Sequence, residues 1–224
     1  MSKIERIKRT FIGLSFILTP LILVAAFAAH PNLMSLDVMT SGEAFAEEFR
    51  NNYILEIGHI AVMFAAILFM GITVGFCKML ESKKPWLSLS VLITGIFGSF
   101  MLGVDKGAFA LVPSAFNTLP DNSFQLMTPG LHAMINYEGA MWLAQLYFFI
   151  PVSMILAGIG LHLTGSIKKW QSTAIIIGSL LYFNPDIDLI SLIASLIISI
   201  ALIPLGIKLL MNNSSNLEPG SVNG

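Results

Sequence analysis

The sequence has few charged residues, a single cysteine and none of the short motifs that mark common catalytic sites. Charged residues make up 11% of its 224 positions, whereas a soluble domain usually carries about 25%. The net charge of −1 argues against a nucleic-acid partner, because a polyanion requires a basic surface. Cys77 has no second cysteine with which to form an internal disulfide. Glycine-rich phosphate loops and the zinc-protease and serine-hydrolase signatures are missing as well.

Long apolar runs are what the sequence has instead. Hydrophobic residues make up 55% of the chain, more than one soluble core of this size can bury. A membrane span needs roughly 20 apolar residues to cross a hydrocarbon core of about 30 Å. The runs predict an all-α polytopic membrane helix bundle of about six transmembrane helices in one domain, residues 1–210, with a disordered cytoplasmic tail at residues 211–224. The predicted spans are residues 11–29, 54–77, 87–104, 139–164, 172–183 and 189–207.

The distribution of lysine and arginine sets the predicted orientation, because short loops rich in these residues stay in the cytoplasm. With both termini inside, ten of the twelve basic residues fall on the cytoplasmic side, and only Arg50 and Lys106 fall outside. The reverse orientation would place those ten outside. We therefore predict an N-in/C-in protein of the plasma membrane. The ten residues are Lys3, Arg6, Lys8, Arg9, Lys78, Lys83, Lys84, Lys168, Lys169 and Lys208.

Two of the six predicted spans have alternatives. The first also fits a signal peptide ending near Ala26-Phe27-Ala28, but its 19-residue apolar run exceeds the usual ~7–15, so we expect it to be retained. The fifth covers about 22 Å of helix between Lys169 and Asn184, less than the hydrocarbon thickness. A re-entrant fifth segment would leave Lys208 outside, so we expect this segment to span.

The two outer loops are long and have structure of their own. In the first, residues 30–52, Thr40 and Glu43 have the spacing of a capping box, which predicts a short amphipathic helix. The second, residues 105–137, is apolar and interrupted by prolines, which predicts a lid-like loop on the extracytoplasmic side. Thr128-Pro129 is typical of a helix start, so we expect the fourth helix to begin outside the membrane.

Ionisable residues near the outer ends of the spans define a candidate site, because charge inside a membrane is costly and usually functional. Glu56 and His59 lie three residues apart, which places them on one side of a helix. We predict catalytic roles for His59, Glu56 and Glu138, with His59 accepting a proton and a carboxylate orienting it. Substrate contacts are predicted from residues beside these, Asp105, Lys106, Trp142 and Gln145.

Two functions fit this pattern, and the sequence does not say whether the protein is an enzyme. In the first, the protein binds or acts on a small or lipidic molecule in an outward-facing polar pocket, where Lys106 holds an anionic group. In the second, Glu56 or Glu138 pairs with Lys106 in the structural ion-pair network of a non-enzymatic subunit or transporter-like protein. We read His30 as a loop residue, and Asp186 and Asp188 as helix-capping residues.

No residue pattern identifies a cofactor or an oligomeric state. The Glu-x-x-His spacing of Glu56 and His59 occurs in di-iron bundles, which need a second copy of the motif and further glutamates. Only one copy is present, so no metal is predicted, and the alternative is a single ion held by Glu56, His59 and His132. A haem would need His59 to face His30 or His132.

Labelling of tags tests the predicted orientation. Tags at either terminus should be labelled by a membrane-impermeant reagent only after the cells are permeabilised. A tag inserted beside Asp121 should be labelled in intact cells, because the second long loop is predicted to be extracytoplasmic. Labelling of a C-terminal tag in intact cells would mean that the fifth segment does not span, or that another span was wrongly assigned.

Overall fold

A computed structural model describes residues 2–184 and 187–211. Most of these residues are helical, and no strand occurs among them. Asp186 and the predicted tail beyond Met211 lie outside the described residues. In chain order the helices are α1 (Lys3–Ala28), α2 (Gly42–Phe49), α3 (Tyr53–Leu80), α4 (Pro85–Asn117), α5 (Asp121–Gln125), α6 (Thr128–Ile135), a 3₁₀ helix (Gly139–Phe148) that runs into α7 (Phe149–Thr164), α8 (Lys169–Leu181) and α9 (Asp188–Met211).

Five helical segments are long and apolar enough to cross a membrane: α1, α3, α4, the 3₁₀ helix with α7, and α9. They contain 24 to 33 residues, which at about 1.5 Å per residue exceeds a hydrocarbon core of about 30 Å. In the predicted fifth span, α8 has 13 residues and reaches only about 20 Å. The described chain is therefore all-helical with five candidate spans, which indicates a multi-pass membrane protein that associates with the lipid bilayer.

Small residues let α1 pack closely against both of its neighbours, α3 and α9. A Cβ atom on Gly75 of α3 would lie 2.7 Å from Ile12 Cγ2 of α1. Likewise, a Cβ atom on Gly206 of α9 would lie 2.6 Å from the carbonyl oxygen of Gly13. Real Cβ atoms do not approach this closely, so glycine at these positions sets the helix separation. The bundle continues with α4 against α3 and α7, and with α8 against α7 and α9.

This packing gathers basic residues at one end of the bundle, which we call the basic end. Gly13, near the start of α1, lies against Leu210, near the end of α9. Lys83 Nζ donates to the carbonyl oxygen of Thr164 at 3.1 Å, which joins the α3–α4 turn to the end of α7. The ten residues predicted to be cytoplasmic therefore lie at the basic end. Arg50 and Lys106 lie towards the opposite end, which we call the outer end after its predicted orientation.

At the outer end, α4 extends well beyond the predicted third span, which the sequence ends at Val104. Its 33 residues form a helix of about 50 Å that passes through Pro113. Phe109, Ala110 and Pro113 are buried along one side of this extension. Part of the predicted lid is therefore a helical stripe with i, i+4 spacing, and its packing outweighs the hydrogen bond that the proline cannot donate.

Three short helices, α2, α5 and α6, cover the outer end, and we call them the outer cap. The predicted amphipathic helix is present as α2, but its N-cap is Ser41 rather than Thr40, with the Ser41 side chain accepting from the Ala44 nitrogen at 3.0 Å. Gly42 lets α2 touch α6, because a Cβ atom there would lie 2.7 Å from the His132 nitrogen. The apolar core of the outer cap consists of Phe45, Ala46, Phe49, Leu55, Phe109, Phe124 and Leu131.

The fourth candidate span does not begin at Thr128-Pro129, as the sequence predicts. That pair starts α6, a separate helix that ends at Ile135. Tyr137 and Gly139 then adopt positive φ angles of 52° and 57°, which turn the chain before the 3₁₀ helix begins. The break makes α6 part of the outer cap rather than an extension of the span.

Arg50 fastens the outer cap to the end of α4. Its side chain is 19% exposed, and its guanidinium donates to the carbonyl oxygens of Asn117 at 3.2 Å and Leu119 at 2.8 Å. The same group pairs with Asp121 at 2.8 Å and lies 4.3 Å from the ring centroid of Phe124. Carbonyl groups at the end of a helix have no partner within the helix, so Arg50 supplies one.

Replacing Arg50 with glutamine should loosen the outer cap. We expect a loss of about 1–3 kcal/mol of local stability, because hydrogen bonds from a charged donor are lost in a largely covered position. Hydrogen exchange of the amides in residues 117–126 should accelerate, whereas exchange in α1 should not change. Arg6→Gln, at an exposed position of α1, is the control. Unaltered exchange in residues 117–126 would show that Arg50 does not hold the outer cap.

Candidate functional site

A cavity of about 200 Å³ lies beneath the outer cap, and we call it the outer cavity. Its walls come from the end of α1, the start of α3, the middle of α4, the 3₁₀ helix and the start of α9. Most of the lining is apolar. The polar lining residues face one another across the cavity rather than along a single helix, and include His30, Glu48, His59, Lys106, Tyr137, Tyr147, Tyr182, Asn184, Asp188 and Ser191.

His59 is the predicted catalytic residue that the structure places in the outer cavity. Its ring centroid lies 5.6 Å from that of His30 and 5.6 Å from that of Phe49, which it meets edge-on. The His59 Nδ1 atom is buried and has no hydrogen-bond partner among the described residues. Buried polar atoms in native structures nearly always have a partner, so this nitrogen is a candidate contact for a bound molecule.

His30 and Asp188 contact each other in the cavity wall, with 3.0 Å between Nδ1 and Oδ2. The two residues come from the end of α1 and the first turn of α9, which the antiparallel packing of these helices brings together. A carboxylate on one ring nitrogen fixes the orientation of the imidazole and leaves the other nitrogen available. The carboxylate-oriented histidine of this site is thus His30, not His59 as the sequence predicts.

Asp105 and Lys106 form an ion pair at the site. The Asp105 side chain is fully buried, and its Oδ2 lies 3.1 Å from Lys106 Nζ. The other carboxylate oxygen accepts from the Tyr137 hydroxyl at 3.2 Å. Lys106 lines the cavity with its side chain 25% exposed, and its nitrogen lies 5.8 Å and 5.9 Å from the ring centroids of Phe109 and Tyr147. Lys106 is therefore engaged within the protein rather than held ready for an anionic ligand.

Glu56 lies outside the cavity lining, although it shares α3 with His59. Its Oε1 atom accepts from the Ser114 hydroxyl at 2.6 Å, on α4. Residues three apart on an α-helix differ by about 60° in direction. That difference is enough to send Glu56 towards α4 while His59 faces His30 of α1. The sequence predicts that Glu56 or Glu138 pairs with Lys106, but the carboxylate that pairs with Lys106 in the described structure is Asp105.

Glu138, Trp142 and Gln145 are exposed and do not line the cavity. The sequence predicts that these residues share one side of an α-helix, where positions i, i+4 and i+7 align. Residues 139–148 instead form a 3₁₀ helix. A 3₁₀ helix repeats every three residues. The covered face accordingly carries Ala144 and Tyr147, and Tyr147 reaches the cavity. The structure therefore places His59, Lys106 and its partner Asp105 at the site. Glu138, Trp142 and Gln145 lie away from it.

His132 also lies away from the cavity, in α6. Its Nδ1 atom accepts from the Gly42 nitrogen at 3.3 Å, so the residue connects two helices of the outer cap. Glu56, His59 and His132 are thus not brought together. Among residues 2–184 and 187–211, no group of three or more His, Cys, Asp or Glu side chains is arranged to hold a metal ion.

Sequence reasoning missed His30, Asp188 and the aromatic walls of the cavity. His30 reads as a loop residue and Asp188 as a helix cap because each is judged from its neighbours alone. The predicted topology could have brought His30 and Asp188 together, because it places the end of the first span and the start of the last span on the same side of the membrane. Comparison with protein-family models, curated proteins and solved structures finds no match for this chain. Function must therefore be argued from the site itself.

Replacing Lys106 with methionine should destabilise the protein by about 3 kcal/mol, because it leaves the buried Asp105 carboxylate without its cation. Adding Asp105→Asn to the same chain should recover most of the loss, since the double variant buries no charge and retains an acceptor for Tyr137. Thermal unfolding in detergent measures both effects. Lys168→Met, at an exposed position of the basic end, should have little effect. Equal effects of the two lysine substitutions would make Lys106 an ordinary interfacial residue.

Proposed function

We propose that this chain is a plasma-membrane protein that binds a small, mostly apolar molecule with one polar end in the outer cavity. The observation that carries the proposal is His59, which lines a mostly apolar cavity and whose buried Nδ1 atom lacks a partner among the described residues. Ligand sites are typically apolar cavities with a few converging polar groups. The outer cavity has this character, with its polar groups concentrated around His30, His59 and Asp188.

The proposal includes six crossings, with both termini in the cytoplasm. Its support is that α8 runs between the basic end, where α7 stops, and the outer end, where α9 starts beside His30. An α8 that crosses returns the chain outward, so α9 can end beside α1 with Lys208 at the basic end. Ten basic residues at one end then satisfy the preference of lysine and arginine for the cytoplasmic face.

The depth of the cavity favours a ligand that partitions into lipid. His59 lies in the second turn of α3. The side of α3 that faces away from the bundle carries exposed apolar residues such as Ile57 and Phe64. A molecule dissolved in the bilayer would reach this depth with its polar end near the membrane surface. The polar end would then meet the histidine cluster, and the apolar part would fill the remaining chamber.

The His30–Asp188 pair could also act on such a ligand as a proton acceptor. A carboxylate holds the imidazole in one orientation, as in general-base sites, and the 3.0 Å separation is within hydrogen-bond reach. Catalysis would require a reacting group within about 3 Å of the free imidazole nitrogen. The binding proposal does not depend on this step.

A second function is favoured by the buried Asp105–Lys106 pair. Asp105 and Lys106 are adjacent on α4, and Asp105 also accepts from the hydroxyl of Tyr137, beyond the end of α6. In a non-enzymatic membrane subunit these groups would fix that segment against α4 rather than bind a ligand. Arg50 with Asp121 would be a second member of such a network. This alternative predicts that the outer cavity takes up no ligand.

Histidine modification in lipid nanodiscs tests the binding proposal. Diethyl pyrocarbonate should modify His30 and His59 more slowly when 1-decanol, a neutral molecule with one polar end, occupies the cavity. His132 is exposed outside the cavity and serves as the internal control, because its rate should not change. Decanoate and decyltrimethylammonium test whether a charged end is preferred.

A cavity-filling variant completes this experiment. Ala26 lines the cavity on α1, so Ala26→Phe should occupy part of the chamber and abolish protection by decanol. Protection of His30 and His59 that persists in this variant would show that decanol acts through the membrane and not through the cavity. If none of the three probes protects either histidine in the unaltered protein, the structural alternative is preferred.

A further inference from the structure

Aromatic rings form an unbroken series of contacts along the wall of the outer cavity. The series begins at Tyr182, passes through Phe27 of α1 at 6.4 Å between centroids, and reaches His30 at 6.2 Å. From His30 it continues to His59 at 5.6 Å and to Phe49 at 5.6 Å. We call this series, with its continuation below, the aromatic arc.

The aromatic arc continues through the outer cap. Phe49 contacts Phe45 at 5.5 Å, and Phe45 meets Phe109 of α4 edge-on at 5.9 Å. Phe109 then contacts Tyr137 at 5.7 Å. All members except Phe49 line the cavity. Aromatic pairs in stacked or edge-on contact gain stability beyond the area they bury, so a ligand ring in the cavity can form further pairs of this kind, whereas an aliphatic chain cannot.

Most hydrogen-bonding groups of the cavity wall already have partners. The Tyr182 hydroxyl lies 2.7 Å from Ser195 Oγ, and Asn184 Nδ2 donates to Ser191 Oγ at 3.0 Å. Asp188 is paired with His30. Among the described lining residues, the buried polar atom that lacks a partner is His59 Nδ1, in the middle of the aromatic arc. A ligand that completes the site therefore needs one oxygen or nitrogen atom attached to its ring.

The charges of the cavity favour an uncharged ring. An anionic ligand would meet the carboxylates of Asp188 and Glu48, while Lys106 is already paired with Asp105. A cationic ligand would meet Lys106, which lies over the faces of Phe109 and Tyr147 where a bound cation would otherwise sit. A quaternary ammonium group would also leave His59 Nδ1 without a hydrogen bond.

We infer that the outer cavity binds one uncharged, lipid-soluble ring that carries carbonyl or hydroxyl oxygens, the chemistry of a quinone or quinol. The ring stacks within the aromatic arc, and one oxygen hydrogen-bonds to His59 Nδ1, which can donate to a carbonyl or accept from a hydroxyl. The volume fits, since a cavity of roughly 150 Å³ holds a benzene ring and the outer cavity has about 200 Å³. This inference names the ligand class of the proposed function and rests on it.

Binding to purified protein in nanodiscs tests the inference, with empty nanodiscs subtracted. The probes are a benzoquinone with a decyl chain, the same ring without the chain, and 1-decanol. We expect the decyl quinone to bind at one per protein and more tightly than decanol. Binding of the ring alone at similar affinity would indicate a soluble phenol or quinone, whereas dependence on the chain would indicate a membrane quinone.

Two variants locate the contact. His59→Phe retains a ring but removes the hydrogen bond, and should weaken quinone binding about ten-fold, as expected for the loss of one hydrogen bond of about 1.4 kcal/mol. Phe27→Leu should weaken binding of the quinone but not of decanol, because only the former stacks. His162→Phe is the matched control, since this histidine lies near the basic end beside Ser172. Unfolding temperatures verify that each variant is folded.

The outcomes separate the inference from the proposed function. Equal binding of decanol and the decyl quinone, both blocked by Ala26→Phe, would overturn the ring inference and leave the proposed function standing. Tighter binding of benzyltrimethylammonium than of the quinone would also overturn it. Failure of every probe to bind above empty nanodiscs would overturn both. Quinone binding that His59→Phe and His162→Phe weaken equally would remove His59 as the contact and with it the inference.

Discussion

The outer end of this molecule depends on α4 remaining helical as far as Asn117. Phe109 on this extension packs edge-on against Phe45, and the final carbonyl groups receive the guanidinium of Arg50. Interior proline costs a helix roughly 3 kcal/mol, so the contacts of the buried Phe109 and Pro113 must exceed that cost. If α4 ended where its apolar run ends, the outer cap would lose Phe109 from its core and Arg50 would lose the carbonyl groups that it caps. Lys106 would also not be fixed in the cavity wall.

The two basic residues of the outer end have a different task from those at the basic end. Arg50 completes the hydrogen bonds of a helix terminus, and Lys106 neutralises a buried carboxylate. Exposed lysines such as Lys84 and Lys168 need no partner in the protein because water solvates them. Both exceptions to the charge rule therefore have specific structural contacts at the outer end.

The membrane-spanning helices were predictable because lipid leaves a long apolar segment almost no alternative to a helix. His59 and Lys106 were predictable for a related reason, since an ionisable group at that depth must turn inward. The partners of these residues were not. Glu56 points about 60° away from His59 on the same helix. Glu138 does not share a helix side with Trp142 and Gln145, because residues 139–148 form a 3₁₀ helix.

Pairs from distant parts of the chain were the least predictable, because only packing brings them together. His30 meets Asp188 once α1 and α9 are antiparallel, and Phe27 meets Tyr182 at the end of α8, which packs against α9. No short-range pattern in the sequence predicts either contact. The prolines of the second outer loop predict breaks in the chain, and Pro120 and Pro129 do lie at helix starts. Pro113 does not mark a break, because it lies within α4.

The shortness of α8 has a consequence for the surrounding lipid. Under the proposed six-crossing topology, the 13 residues of α8 are about 10 Å shorter than an average hydrocarbon core, so the bilayer beside α8 must thin. The bilayer is then thinnest next to Tyr182, the end of the aromatic arc, and headgroups approach the cavity most closely on that side. Acyl-chain length thereby becomes a variable of the site: long-chain lipids add deformation energy around α8, whereas short-chain lipids match it.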